Sequence, residues 1–308
     1  MADAIESSRE AFSALASGAV QAPMRTSMVD GDRTTLLMGA SSAGVGRIAK
    51  VANVFPGNGA RGLDTTTGVV MVIDEDTGQT IGLCDGGTLT AIRTGAVAGL
   101  ATDLLARSDA EVGAVLGAGG QARTQLLAMA AVRPLREIRI YAPRPERIAA
   151  LIEEVGHTMS AQLVAATSSQ AAVEGADIIS SATSSMRPTF DGGCLRAGAH
   201  INGIGSFRLD MRELDALTIQ RANQIVVDLR ESALHEAGEL VAAAEAGHTD
   251  PQKWVELGSL IEDPSLGRTS PQDITLFKSV GHAVQDLFAA RRALENAERL
   301  DLGQCIEL

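Results

Sequence analysis

The chain has 308 residues, 45% of them hydrophobic, and a formal net charge of −12. This length corresponds to one large domain or two ordinary ones, and the hydrophobic content is sufficient for their cores. The negative charge argues against nucleic acid as a partner, because binding to a phosphate backbone depends on cations that release counterions.

Short β-rich runs dominate the first part of the chain, after a predicted helix at 5–17. Glycine-rich turns separate these runs, and the turn from Asp74 to Gly78 is typical of a hairpin, with glycine supplying the positive φ. A helix at 89–106 follows, because its apolar residues recur every three to four positions. This part of the chain predicts a small, mainly antiparallel sheet with strands at 22–28, 34–38, 46–53, 68–74 and 79–83.

Strand-like and helix-like segments alternate through the middle of the chain. Parallel strands need long crossovers, so this alternation predicts a parallel sheet with helices on both faces. Six strands is the count of the doubly wound dinucleotide fold. The strands are predicted at 111–116, 137–141, 162–165, 177–180, 199–204 and 224–228, and the helices at 121–131, 145–155, 168–174 and 214–221. After a weaker pattern, a strand at 274–278 and an amphipathic helix at 282–299 are predicted.

The turn that follows the first of these strands has the pattern G-x-G-x-x-A, from Gly117 to Ala122. In a dinucleotide-binding protein, Gly117 makes the tight turn, Gly119 lets a pyrophosphate approach the backbone, and Ala122 lets the helix pack closely. The phosphates would lie at the N-terminus of that helix. The position between a strand and a helix favours a nucleotide site over a merely structural glycine turn.

The end of the next strand bears on the choice of cofactor. An NAD-binding protein usually has Asp or Glu there to hold the ribose 2′-hydroxyl. Here Tyr141 is followed by Ala-Pro, so the carboxylate is missing, while Arg144 and Arg147 could pair with a 2′-phosphate. The sequence therefore predicts NAD(P)(H) as cofactor and favours NADP, the alternative being that both arginines are solvated surface charges.

Three cations in the first part of the chain are candidates for holding a carboxylate: Arg25, Lys50 and Arg93. Each could also be an ordinary surface residue, since charged side chains are mostly exposed. Lys50 stands out because it ends an apolar run before a Pro-Gly-Asn turn. A lysine in such a place can have a pKa below the ordinary value and can take part in proton transfer.

Targeting signals and metal motifs are absent from the sequence. No apolar run approaches the roughly 20 residues that span a bilayer, and the N-terminus carries Asp3 and Glu6 where a signal peptide would be basic. The three cysteines are widely separated, and the five histidines show no metal-ligand spacing. We expect a cytoplasmic protein with no metal and no membrane partner.

Taken together, these segments resemble the ornithine cyclodeaminase/μ-crystallin family. The resemblance spans nearly the whole chain, and the runs from Leu89 to Thr94 and from Phe277 to Ser279 are its most specific parts. The other matching segments are 22–26, 50–58, 74–78, 117–122, 183–184, 198–206, 212–215, 227–228 and 275–281.

The resemblance implies a homodimeric α/β enzyme acting on a small amino acid or cyclic imino acid. It implies a Rossmann NAD(P)-binding domain at 107–279, inserted in a mainly antiparallel α+β dimerisation and substrate domain formed by 1–106 together with 280–308. By this resemblance Arg25, Lys50 and Arg93 bind the substrate carboxylate, and Lys50 is also the catalytic proton-handling group. The implied cofactor-binding residues are Thr65, Thr94, Gly117, Gly119, Gly120, Gln121, Arg144, Ala182 and Thr183.

One departure from the family pattern bears on the reaction. Cyclodeaminases of the ornithine type carry an aspartate for the substrate amine at the position of Phe207, and a phenyl ring cannot replace it. Asp210 could substitute only if the loop runs differently. The resemblance therefore favours reduction of a cyclic ketimine carboxylate, such as pyrroline-2-carboxylate or piperideine-2-carboxylate. The alternatives are ornithine cyclodeamination, an activity like that of alanine dehydrogenase, and a non-enzymatic binding role.

Overall fold

A computed structural model describes residues 1–306, which group into two compact units. Unit 1 consists of Met1–Ile5 and Thr94–His282, and unit 2 consists of Glu6–Arg93 and the chain from Ala283 onward. Helices α1 (Ala2–Ala16) and α2 (Gly86–Leu105) contribute residues to both. The domain boundaries expected above stay a prediction, and residues 307 and 308, at the end of the 280–308 segment, lie outside the described residues.

Unit 2 is built on an antiparallel sheet, as predicted. Its order is β1-β3-β4-β5-β6, and β2 also pairs with β3. The predicted strand at 22–28 is wrong in part, because residues 22–25 lie outside the ladder; Pro23 has no N–H to donate to it. The strands are β1 (Val20–Gln21), β2 (Thr26–Asp30), β3 (Arg33–Ser42), β4 (Gly46–Val54), β5 (Thr66–Ile73) and β6 (Thr80–Asp85).

One face of this sheet is buried and the other is exposed, because successive side chains of a strand alternate between faces. Helix α10 (Ala283–Leu300) packs on the inner face, where Leu287 and Ala290 join a core that includes Ile48 and Val70. The outer face is left with apolar side chains on four neighbouring strands: Leu37, Val51, Val69, Ile81 and Leu83.

Unit 1 contains a parallel sheet of eight strands, in the order β13-β12-β14-β11-β10-β7-β8-β9. The prediction of six strands was wrong, because β14 inserts between β11 and β12 and β13 extends the edge. A short, fully buried run gives no periodicity that indicates its neighbours. The strands are β7 (Val112–Leu116), β8 (Glu137–Tyr141), β9 (Gln162–Ala165), β10 (Ile178–Ser181), β11 (His200–Gly203), β12 (Gln224–Val227), β13 (Val255–Glu256) and β14 (Thr275–Lys278).

Helices cover both faces of the parallel sheet. Val115 of β7 enters one core with Leu126 of α3, whereas Leu116 enters a second core with Leu240 of α8. No helix within residues 1–306 has the length and hydropathy to cross a membrane. The helices are α3 (Ala122–Val132), α4 (Pro145–Val155), α5 (Ser169–Val173), α6 (Ala216–Arg221), α7 (Arg230–Glu236), α8 (Gly238–Glu245) and α9 (Leu257–Glu262). The last three were not predicted from the sequence.

Candidate active site

The glycine turn after β7 has an open surface for a ligand. Gly117 adopts φ +107°, and a Cβ there would lie 2.5 Å from the carbonyl oxygen of Ala182, so this position requires glycine. A Cβ on Gly119 or Gly120 would meet no atom within 4 Å. Side chains at those two positions would fill the space through which a pyrophosphate approaches the backbone.

Helix α3 begins directly after this turn, and its first N–H groups have no side-chain cap. The side chain of Gln121, the N-cap residue, makes no capping hydrogen bond, and its Oε1 atom is buried without a partner among the described residues. Free N–H groups and the helix dipole favour an anion at this end. Thr94 is buried beside α3, and its carbonyl oxygen accepts a hydrogen bond from Gln125.

Two further predicted cofactor positions lie at the carboxyl ends of β8 and β10. Arg144 is exposed just before α4, and within residues 1–306 neither it nor Arg147 has an ion-pair partner. Thr183 follows β10 and Ala182, and both its N–H and its hydroxyl donate to Glu213 Oε1, at 2.6 and 2.9 Å. Unit 1 therefore holds all the predicted cofactor residues except Thr65, which lies on an exposed bend before β5 in unit 2.

Lys50 forms the centre of a buried polar cluster in unit 2. It lies in the middle of β4, on the inner face of the sheet, and is 2% exposed. Its Nζ donates hydrogen bonds to Asp286 Oδ1 and to Thr90 Oγ1, both at 2.6 Å. Arg93, also buried, has its Nε 3.3 Å from the same Asp286 oxygen and donates from Nη1 to Gln285 Oε1 at 2.8 Å.

Opposing effects determine the pKa values of the buried groups in this cluster. Burial lowers the pKa of Lys50, Asp286 raises it, and Arg93 and Arg25 lower it again, with a net pKa below the ordinary value of 10.5. Burial alone would raise the pKa of Asp286, but Lys50 and Arg93 outweigh it and lower that pKa below its ordinary value. Arg25, half-buried on the segment between β1 and β2, has the smallest of these effects on the pKa of Lys50. The structure brings two of the three predicted cations, Lys50 and Arg93, together on one carboxylate.

Three partners of these cations were missed by the sequence analysis: Thr90, Gln285 and Asp286. A usable signal existed for Asp286, because it shares a stripe of α10 with Ala283 and Ala290, at spacings of three and four residues. A carboxylate on an apolar stripe is expensive to bury unless it is paired. No comparable pattern marks Gln285 or Thr90.

Unit 1 combines a doubly wound parallel sheet with an open, uncapped glycine turn, which defines a dinucleotide-binding protein. No cluster of three potential His, Cys, Asp or Glu metal ligands occurs in the described part of the chain. The chain belongs to the ornithine cyclodeaminase/μ-crystallin family, whose model matches residues 1–300. The resemblance seen in the sequence is confirmed.

Named relatives are similar to this chain over almost its whole length. A Δ1-pyrroline-2-carboxylate reductase of Bacillus cereus is 36% identical over 289 residues, covering 92% of this chain and 89% of the relative. The structure of the Thermococcus litoralis Δ1-pyrroline-2-carboxylate reductase, in complex with NADH and L-proline, has a TM-score of 0.95 at 33% identity and covers 98% of this chain and 95% of that one. An archaeal alanine dehydrogenase dimer with bound NAD has a TM-score of 0.90 at 29% identity, covering 100% and 95%. The predicted fold class is confirmed.

Proposed function

We propose that the chain is an NAD(P)H-dependent reductase of a cyclic ketimine carboxylate of the pyrroline-2-carboxylate or piperideine-2-carboxylate type. The observation that carries this proposal is the pair of buried cations, Lys50 and Arg93, on the buried carboxylate of Asp286. Arg25 also acts on Lys50, since it lowers the pKa of that lysine. The relatives of the chain include reductases of that substrate class.

Arg25 and Arg93 are proposed to bind the substrate carboxylate. Guanidinium groups match the geometry of a carboxylate and can hold it with two hydrogen bonds. Lys50 and Arg93 share the single carboxylate of Asp286, so this pair of cations has a surplus of positive charge for an anionic substrate. Holding the substrate in one orientation supplies several kcal/mol of the barrier.

Lys50 is proposed to give a proton to the imine nitrogen. The open turn at Gly119 and the uncapped start of α3 fit a nicotinamide dinucleotide, and this cofactor would supply the hydride to the imine carbon. Burial makes the ammonium of Lys50 a stronger acid than a surface lysine, while the charge of Asp286 opposes this effect. The lowered pKa suits Lys50 to act as a general acid.

The loop at Phe207 favours reduction over cyclodeamination. The predicted substitute, Asp210, is exposed, and its carboxylate is bound by the guanidinium of Arg208, which lowers the pKa of Asp210. This ion pair supports the proposal that Asp210 does not replace the amine-binding aspartate of the ornithine cyclodeaminases.

The test is a substrate panel with purified protein. We expect NAD(P)H oxidation with pyrroline-2-carboxylate or piperideine-2-carboxylate, followed by absorbance, and the corresponding cyclic amino acid as product. Ammonia and proline from ornithine, with no net change in NADH, would establish the cyclodeaminase instead. Oxidation with pyruvate and ammonium alone would indicate an alanine dehydrogenase, and cofactor binding without turnover would indicate a binding protein.

We further propose that NADPH is preferred over NADH through Arg144. Its side chain is exposed and unpaired within residues 1–306, and no carboxylate follows β8 to hold a 2′-hydroxyl. Arg144→Ala is expected to lower kcat/KM for NADPH about tenfold, which is the loss of one charge-assisted hydrogen bond, and to leave NADH within about twofold. Arg136→Ala, at the other end of the same strand, is the control. A wild type that prefers NADH would refute the proposal.

The exposed outer face of the antiparallel sheet is proposed to be the homodimer interface. Leu37, Val51 and Val69 are direct cross-strand neighbours, each 37–41% exposed, and contiguous exposed apolar surface marks interaction sites. Val69→Glu would place like charges on both copies, so we expect a shift from dimer to monomer in analytical ultracentrifugation. Met186→Glu, an exposed apolar position in unit 1, should leave the dimer intact. A dimeric Val69→Glu variant would contradict this assignment.

A further inference from the structure

Glu213 is a fully buried carboxylate at the carboxyl edge of the parallel sheet, and the proposed reduction makes no use of it. Its Oε1 accepts hydrogen bonds from Thr183 N–H, from the Thr183 hydroxyl and from Ser181 Oγ at 2.8 Å. Its Oε2 accepts from the N–H groups of Gly205 and Ser206, at 2.5 and 2.9 Å. One side chain thus ties the loop after β10 to the loop after β11.

Two more buried charged residues, Glu239 and Lys278, form hydrogen bonds with the loop after β11. Ser206 Oγ donates to Glu239 Oε1 at 2.5 Å, and Lys278 Nζ donates to the carbonyl oxygens of Ser206 and Gly203, at 2.6 and 3.2 Å. Lys278 also lies 3.3 Å from Glu239. Burial raises the pKa of Glu213, Lys278 lowers it and Glu239 raises it. Three main-chain N–H groups can only donate, so Glu213 must act as acceptor to all of them.

The two loops that Glu213 joins also pack closely against each other. A Cβ on Gly205 would lie 2.0 Å from the carbonyl oxygen of Thr183 and 2.8 Å from Glu213 Oε1. The residue before Thr183, Ala182, in turn lies against Gly117 of the glycine turn. Ligands of open α/β sheets bind at the carboxyl ends of the strands, near the point where the strand order reverses. The reversal here falls between β7 and β10.

We propose that Glu213 is a positioning residue for the nicotinamide half of the cofactor, because it fixes the loops at Thr183 and at Gly205–Ser206. The pyrophosphate would instead bind at the glycine turn and the N-terminus of α3. This inference rests on the proposed function only in that the ligand is a nicotinamide dinucleotide. Both carboxylate oxygens of Glu213 must be hydrogen-bond acceptors, because each of them faces at least one main-chain N–H group that can only donate.

The test compares a dinucleotide with the same molecule lacking nicotinamide. Dissociation constants of NADH and ADP-ribose, or of NADPH and 2′-phospho-ADP-ribose, are measured by calorimetry for wild type and Glu213→Gln. The amide presents an N–H₂ group to donors, so we expect the reduced cofactor to bind about tenfold more weakly, while the nicotinamide-free ligand stays within about twofold. Equal weakening of both ligands, or no weakening of either, would overturn the proposal.

Asp177 provides a matched control in the same unit. It is a buried carboxylate at the amino ends of β7 and β10, and it accepts from the N–H groups of Glu111 and Val112, both at 3.0 Å, and from Arg107. Asp177→Asn should lower the melting temperature and leave both dissociation constants within about twofold of wild type. A selective loss of NADH binding in this control would show that general loosening, rather than Glu213, sets the nicotinamide site.

Glu213→Asp covers the case in which the glutamine variant does not fold. This variant keeps the charge on a shorter side chain. The ratio of its dissociation constants for the reduced cofactor and for the nicotinamide-free ligand should therefore lie between the wild-type ratio and the ratio expected when the contribution of nicotinamide is lost completely. An unchanged ratio would refute the positioning role. A wild type that binds NADH more tightly than ADP-ribose but reduces no imine would refute the proposed reaction and leave the role of Glu213 standing.

Discussion

Replacing Lys50 with methionine is expected to lower kcat for imine reduction by about 100- to 10,000-fold, the usual contribution of a positioned general acid. Methionine fills a similar volume on the inner face of β4 but has no proton to give. Asp286 stays partly compensated in this variant, because Arg93 Nε lies 3.3 Å from it. Stopped-flow single turnovers with NAD(P)H and the cyclic imine would measure the chemical step directly.

A measurement of cofactor binding distinguishes the loss of the general acid from misfolding of the variant. Lys50 belongs to unit 2 and the glycine turn to unit 1, so the dissociation constant of the cofactor should stay within about twofold of wild type. Lys253→Met, on an exposed turn, is the matched control and should keep full activity. In wild type, activity should fall as the pH rises through the lowered pKa of Lys50, because only the protonated amine acts. Undiminished turnover in Lys50→Met would exclude Lys50 from proton transfer.

Asp286→Asn is expected to destabilise the fold by about 3–5 kcal/mol at neutral pH, because it leaves two buried cations without their counter-ion. The pKa of Asp286 is lowered in the folded state, so its contribution is fully present above the ordinary value of 3.8 and is lost as the pH falls through the folded pKa. The difference in unfolding free energy between wild type and variant should therefore be constant near neutral pH and shrink below about pH 4. Urea unfolding at several pH values measures it.

A double-mutant cycle identifies the pair responsible. In the Lys50→Met background one of the two cations is already gone, so Asp286→Asn should cost less there than in wild type. Strictly additive costs would mean that Lys50 and Asp286 do not stabilise each other. The asparagine variant should also move the basic limb of the kcat profile to lower pH, since it removes the charge that raises the pKa of Lys50.

Local patterns were enough to predict most elements of the fold. Strands β8 and β9 and helix α4 begin and end at the predicted residues, and the glycine turn lies between a strand and a helix as expected. The positions of β13 and β14 in the sheet were not predictable, because the order of strands depends on long-range pairing that leaves no mark on strands of only two and four residues.

Only some residues of the candidate site were predictable from the sequence. Lys50 stood out because it was predicted to end an apolar run before a turn, although the structure places it in the middle of β4. Its partner Asp286 is 236 positions away, and nothing in the sequence links the two. Glu213 was noticed only as part of a family motif. His200 is a fully buried core residue: burial lowers its pKa to about 3, so it stays neutral between Thr275 and Asn202.

The pairing of β3 with β4 has an evolutionary consequence. Nine residue pairs hold these strands in register, from Thr34 opposite Val54 to Ser42 opposite Gly46. A slip by a single residue would turn every side chain of β4 to the opposite face, carrying the amine of Lys50 out to solvent and Val51 inward. We therefore expect homologues to differ in length at the hairpin tip between residues 43 and 45 rather than along the strands.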